Sequence, residues 1–129
     1  MTIRVHVACD DAAYRSAIAD YLATEREIEI VGVSDEGRVG AAAVRLLAPD
    51  VIVLRATPRM DPTQHVRTYR NAAPGRALIA FCAAAGQAER YRAAGADGVV
   101  LEEDPASNLR TVVKAAFRRT HREPAHAAL

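Results

Sequence analysis

Three charged side chains carry the chemistry open to this sequence: the adjacent carboxylates Asp10 and Asp11, and the guanidinium of Arg55. Arg55 ends the stretch Pro49-Asp50-Val51-Ile52-Val53-Leu54-Arg55. Four apolar residues in a row between a Pro-Asp lead-in and a charge read as a buried strand of a parallel sheet, which carries its last side chain to the rim. A guanidinium there can hold a carboxylate through two parallel N–H bonds. Asp10 and Asp11 are the partners at hand, and one of them also suits the N-cap of the helix that follows. Cys82 closes another apolar run and Glu102 follows a third, so a thiol and a further carboxylate reach the margin of the same rim. No nucleophile–base pair and no phosphate-cradling glycine loop accompanies them, and the reading is therefore not an enzyme. His65, His121 and His126 have no metal-ligand spacing, and His6 is expected to pack against a neighbouring element.

The elements that position these residues follow from periodicity. Ile3 to Cys9 and Ile28 to Val33 read as strands one and two, Val51 to Leu54 as strand three, Ala77 to Cys82 as strand four and Gly98 to Leu101 as strand five. Between them lie amphipathic stretches. The first has Tyr14, Ile18, Tyr21 and Leu22 on one face, the second Val39, Ala43, Leu46 and Leu47, the third Val66, Tyr69 and Ala73. A short fourth helix ends at Ala94-Gly95, where Gly95 suits the C′ position. Asp104-Pro105 is expected to start the last helix, with Asp as N-cap and Pro at N1. Its stripe is Leu109, Val112, Val113, Ala116 and Phe117, and Arg118, Arg119 and Arg122 favour the negative end of its dipole. Strand–helix alternation with short loops implies an α/β doubly wound parallel sheet of five strands, in the order 2-1-3-4-5, with five covering helices. In that order the site lies beyond the strand ends at the switch point between strands one and three, which gathers Asp10, Asp11 and Arg55, with Cys82 and Glu102 at its margin. The domain covers residues 1–120; residues 121–129 read as a tail or a truncated linker.

Five pieces stand in order: Asp10-Asp11, Ile28-Glu29-Ile30-Val31-Gly32, Pro49 to Leu54, Met60-Asp61, and Ala93-Ala94-Gly95-Ala96-Asp97-Gly98. With them the chain resembles a response-regulator receiver domain of the CheY-like, flavodoxin-like type, most like those that open LuxR/NarL-type transcriptional regulators. The resemblance spans about residues 2 to 120. It implies an aspartyl-phosphate site with Mg²⁺ in two-component signalling, and here the pattern departs. The family's phosphoacceptor aspartate falls on Arg55, its Ser/Thr on Cys82, its switch aromatic on Val99 and its lysine on Glu102. Only the acidic pair stands.

A guanidinium stays protonated and offers no lone pair for attack on phosphorus. Its fixed charge also opposes a divalent ion, so no metal and no other cofactor is expected, with Asp10 and Asp11 the only weak candidates as ligands. The reading is an atypical, phosphorylation-independent receiver, a signalling and protein-interaction module controlling a transcriptional output. The resemblance implies a homodimer, along with a partner protein or a C-terminal DNA-binding domain beyond this chain. Two alternatives stay open: a small-molecule-binding regulatory domain on the same fold, and a receiver phosphorylated at another residue. A reversed pair, Arg55 with Glu102, would keep a bridge between strands three and five.

Composition agrees with this class. The 129 residues carry a net charge of +1, which excludes a strong general pull toward nucleic acid or membrane surface. Lys114 is the only lysine, so arginine supplies the positive charge. The cluster Arg118-Arg119 with Arg122 reads as a solvated helix end rather than a DNA contact. No run is long enough to span a membrane and no leader precedes strand one, which points to the cytoplasm. Cys9 and Cys82 are expected as free thiols, two strand spacings apart.

Overall fold

A computed structural model describes residues 2–121. Five strands alternate with five helices: β1 (Ile3–Ala8), α1 (Ala12–Ala23), β2 (Ile28–Ser34), α2 (Arg38–Leu47), β3 (Val51–Arg55), α3 (Pro62–Ala72), β4 (Ala77–Cys82), α4 (Ala85–Ala93), β5 (Gly98–Leu101) and α5 (Ala106–Thr120). The strands are parallel and ordered β2-β1-β3-β4-β5, as the alternation implies. Residues on opposite faces of the central strands feed two cores. Val51 and Val53 join Ile18, Leu22, Leu109, Val113 and Phe117 on the α1/α5 side. Ile52 and Leu54 join Val44, Val66, Tyr69, Ala88 and Tyr91 on the α2/α3/α4 side. Arg55 continues the first set, so its side chain emerges on the α1/α5 side of the strand tip.

Short polar clips hold the strand starts. The Asp50 carboxylate accepts from the Arg4 backbone N–H at 2.9 Å, while its own N–H donates to the Arg4 carbonyl at 2.8 Å. Asp97 accepts from the Leu78 N–H at 2.8 Å and from Arg70 at 3.0 Å, which pins the α4–β5 turn to β4. This explains the Ala93-to-Gly98 run: Ala94 is the C-cap, Gly95 takes φ +105° just past it, and Asp97 is the clip.

Three local expectations change. The inward stripe of α2 is Gly40, Ala41 and Val44, while Val39 is 63% exposed and Leu46 84% exposed. Gly40 and Ala41 are small enough to bring the helix against Tyr69, and counting large apolar residues pointed to the wrong face. The last helix begins at Ala106 with Pro105 as N-cap. Asp104 instead closes the preceding turn, accepting from the Leu101 N–H at 2.9 Å and from the Asn108 side chain at 3.1 Å. Strand β1 stops at Ala8, one residue before Cys9. The tail expected over 121–129, with Arg122 and His126 in it, lies outside the described residues except for His121.

Candidate functional site

Asp11 is the N-cap of α1, its carboxylate accepting from the Tyr14 N–H at 3.0 Å. That leaves Asp10 as the member of the pair that faces the pocket. Asp10 Oδ1 lies 3.8 Å from Arg55 Nη1, and its side chain is half exposed. The shorter contact of Arg55 is to the other wall: Nη2 donates to Glu102 Oε2 at 3.2 Å. Both of these side chains are about three-quarters buried. The guanidinium carbon sits 4.2 Å from the centre of the Tyr14 ring, over its face, and Tyr14 in turn packs edge-on against Phe81 at 5.6 Å. Arg55 is therefore held by a carboxylate, an aromatic face and a more distant second carboxylate. Burial lowers its pKa, and the hydrogen bond and charge of Glu102 more than offset this, so the guanidinium ends above its ordinary value.

Arg55, Asp10 and Glu102 thus meet at the ends of β1, β3 and β5. Tyr14 was not singled out in the sequence as a pocket residue; its place one turn into the helix after Asp10 was the available signal. Cys82 does not join the pocket with its side chain. It is fully buried in the α2/α3/α4 core, and burial pushes its thiol up to about 11. Only its carbonyl reaches the neighbourhood, accepting from the Glu102 N–H at 2.8 Å. Val99 packs, half-buried, against the same core. Cys9 and Cys82 are both free and buried. His6 packs within the sheet, 2.8 Å from the Ser34 hydroxyl, and burial lowers its pKa.

A divalent ion needs several oxygen ligands with little competing positive charge. The donors here do not fit one: Asp11 is spent on the helix start, Glu102 is bonded to Arg55, and Asp10 faces the guanidinium. Beside Arg55, a cavity of about 260 Å³ opens between α1 and the start of α5, walled by Tyr14, Ile18, Tyr21, Phe81, Leu109 and Glu102.

No family model matches the chain. Curated relatives do. The chain is 28% identical over 121 residues to the response regulator protein VraR of Staphylococcus aureus, covering 92% of this chain and 58% of that one. It is 39% identical over 66 residues to the protein-glutamate methylesterase/protein-glutamine glutaminase of Bacillus subtilis, covering 50% of this chain and 18% of that protein. The chain therefore spans less than two thirds of the length of these relatives. Among solved structures, a two-component response regulator of the LuxR family from Aurantimonas superposes with a TM-score of 0.82 at 18% identity, over 92% of this chain and 86% of that one. No helix among the described residues is long and apolar enough to cross a membrane. The five-stranded sheet and its neighbours agree, and the chain has the receiver fold of two-component response regulators, those of the LuxR/NarL type included.

Proposed function

We propose that this chain is a receiver module that signals without an aspartyl phosphate, acting by protein–protein contact on a transcriptional output in the cytoplasm. The observation that carries the reading is Arg55 at the tip of β3, bonded to Glu102 and stacked on Tyr14. Phosphoryl transfer into such a pocket requires a carboxylate nucleophile and a cation to neutralise the incoming oxygens. Here the nucleophile's place holds a permanent cation, and the place of the clamp holds an acid. The charges have exchanged sides, and the bridge between β3 and β5 persists with its sign reversed. Such a bridge fixes the relation of the two strand ends that phosphorylation would otherwise alter, so the module rests in one state until a partner shifts it. A homodimer is the form in which we expect it to act, and a DNA-binding domain beyond this chain is one route to the output. No Mg²⁺ and no other cofactor enters this mechanism.

The test is a titration of the isotopically labelled chain with Mg²⁺ and then with beryllofluoride, a phosphoryl mimic, followed through the backbone amides. The reading predicts no saturable shift at Asp10, Asp11, Arg55 or Glu102. Saturable shifts at these amides that require both reagents would overturn it.

A second reading, a small-molecule-binding regulatory domain, is favoured by the cavity between α1 and α5, since Tyr14 and Glu102 both line it and both touch or stack on Arg55. A ligand seated there would act on the Arg55 bridge directly. Thermal-shift screening of metabolites that combine an apolar body with one carboxylate separates the two readings, because only the second predicts a concentration-dependent rise.

A further inference from the structure

On the opposite side of the sheet from Tyr14, a second set of titratable groups is buried. Glu36, in the loop between β2 and α2, turns its carboxylate inward; the side chain is 12% exposed and Oε2 has no hydrogen-bond partner. Facing it at 3.7 Å is Nε2 of His65, in the first turn of α3, fully buried and also without a hydrogen-bond partner. The other ring nitrogen, Nδ1, lies 2.7 Å from the hydroxyl of Tyr91 on α4. Tyr69, one turn further along α3, packs edge-on against His65 with ring centres 5.7 Å apart. The loop, α3 and α4 thus each deliver one member of a line Glu36–His65–Tyr91.

A separation of 3.7 Å is too long for a hydrogen bond, yet one proton placed between the two atoms would close it. With that proton the pair is neutral overall. Without it, a largely buried carboxylate is left whose Oε2 has no hydrogen-bond partner, which burial strongly disfavours. Burial, helped by the charge of Asp10, accordingly pushes Glu36 up to about 7, and burial brings His65 down to about 4. The proton belongs to the pair rather than to either residue. Charged groups face the pair from every side. Asp10, after β1, favours the proton on both. Asp35, beside Glu36, favours it on Glu36, and Arg55, at the tip of β3, opposes it there. The Tyr69 and Tyr91 hydroxyls are both held neutral, chiefly by burial and also by Glu36. Cys82 of β4, Arg90 of α4 and Asp61 at the start of α3 act on Tyr91.

The loop that carries Glu36 has a joint. Gly37, the N-cap of α2, takes φ +78°, makes no side-chain cap bond, and has open space where a Cβ would point.

We propose that Glu36 and His65 form a proton-binding site, and that loss of its single proton swings Glu36 outward on Gly37, toward water and the positive charge of Arg55. The start of α2 moves with it. Proton occupancy is then an input to the same strand-end pocket that Arg55 fills, set by pH near neutrality. The inference does not depend on whether the pocket accepts phosphate, so its failure would leave the proposed function standing.

The experiment is a pH titration of the 129-residue chain, following the side-chain carboxyl carbon of Glu36 together with the backbone amides. The carboxyl should titrate near 7, a proton affinity roughly 300-fold above that of an ordinary glutamate. The amides of residues 35–41 and of Arg55 should move with the same midpoint. Glu36→Gln should remove that midpoint and keep the low-pH spectrum at pH 8. A carboxyl that titrates in the ordinary glutamate range would overturn the site. Amides that stay still while the carboxyl titrates, or that move unchanged in Glu36→Gln, would overturn the swing. Should the variant not fold, the wild-type titration decides alone.

Discussion

Replacing Glu36 by Gln should stabilise this protein, and should do so far more at pH 8 than at pH 5. Glutamine keeps the shape of the protonated acid and cannot ionise. In the folded chain Glu36 titrates at about 7, against an ordinary 4.5, with burial the main cause. A group raised on folding contributes its full stability below the unfolded value and loses it as pH rises through the folded one. The loss for Glu36 therefore runs between about pH 4.5 and 7. A shift of this size corresponds to about 3 kcal/mol once ionisation is complete. Glu36→Gln should recover that amount at pH 8 and less than about 1 kcal/mol at pH 5. In a domain of this size the gain at pH 8 is about 10 °C in Tm.

His65 has the opposite sign. Its folded value is depressed to about 4 by burial, so its contribution is present above the ordinary 6.5 and lost as pH falls toward 4. In the wild-type chain the two shifts nearly cancel, and the pair adds less than about 1 kcal/mol of pH dependence. Removing Glu36 exposes the His65 slope, so the variant should lose about 3 kcal/mol between pH 7 and pH 4 through this residue alone. Urea unfolding at pH 4, 5, 6, 7 and 8, for both proteins, measures these differences. A variant less stable than wild type at pH 8, or a gain independent of pH, would refute the account of the buried carboxylate.

Other consequences are simpler to check. The contact between Arg55 and Glu102 is three-quarters buried and made by one hydrogen bond, so a double-mutant cycle of Arg55→Ala with Glu102→Ala should return a coupling of about 1 kcal/mol. A coupling near zero would mean the two side chains are independent. Gly40→Ala should cost about 2–3 kcal/mol, because a Cβ would overlap the Tyr69 hydroxyl and stand 2.6 Å from the Asp35 carbonyl oxygen. Adding Tyr69→Phe to Gly40→Ala should relieve it only in part, since the Asp35 carbonyl cannot withdraw; denaturant midpoints of the two single variants and the double variant test this. Leu46→Gln should change the stability of the monomer by less than about 0.5 kcal/mol, as expected for a side chain 84% exposed.

The elements that read clearly in the sequence were those with one strong local cause. The apolar run Val51 to Leu54, short and led in by Pro49, reads as a strand buried on both faces, and it is the central strand of the sheet. The Ala94-Gly95 stop falls where cap chemistry puts it. The helix α2 misled because the side it buries is its small side: Gly40 must approach Tyr69, and only the tertiary contact shows it. At the pocket, strand order alone was enough to bring Asp10, Arg55 and Glu102 together. Cys82 was placed at the rim because it ends β4, but one residue of alternation turns its thiol to the opposite core. The Glu36–His65–Tyr91 line was invisible beforehand. Its members come from three elements 55 residues apart in sequence, and no spacing pattern links them.

With a guanidinium at the tip of β3 in place of a carboxylate, the chain should take up no phosphoryl group, and its intact mass reads this out. The chain is incubated with Mg²⁺ and a small phosphodonor such as acetyl phosphate, then weighed without acid treatment. The account predicts the unmodified mass at every time point, for wild type and for Asp10→Asn alike. A hydroxylamine-sensitive gain of one phosphate on the wild-type chain would contradict it.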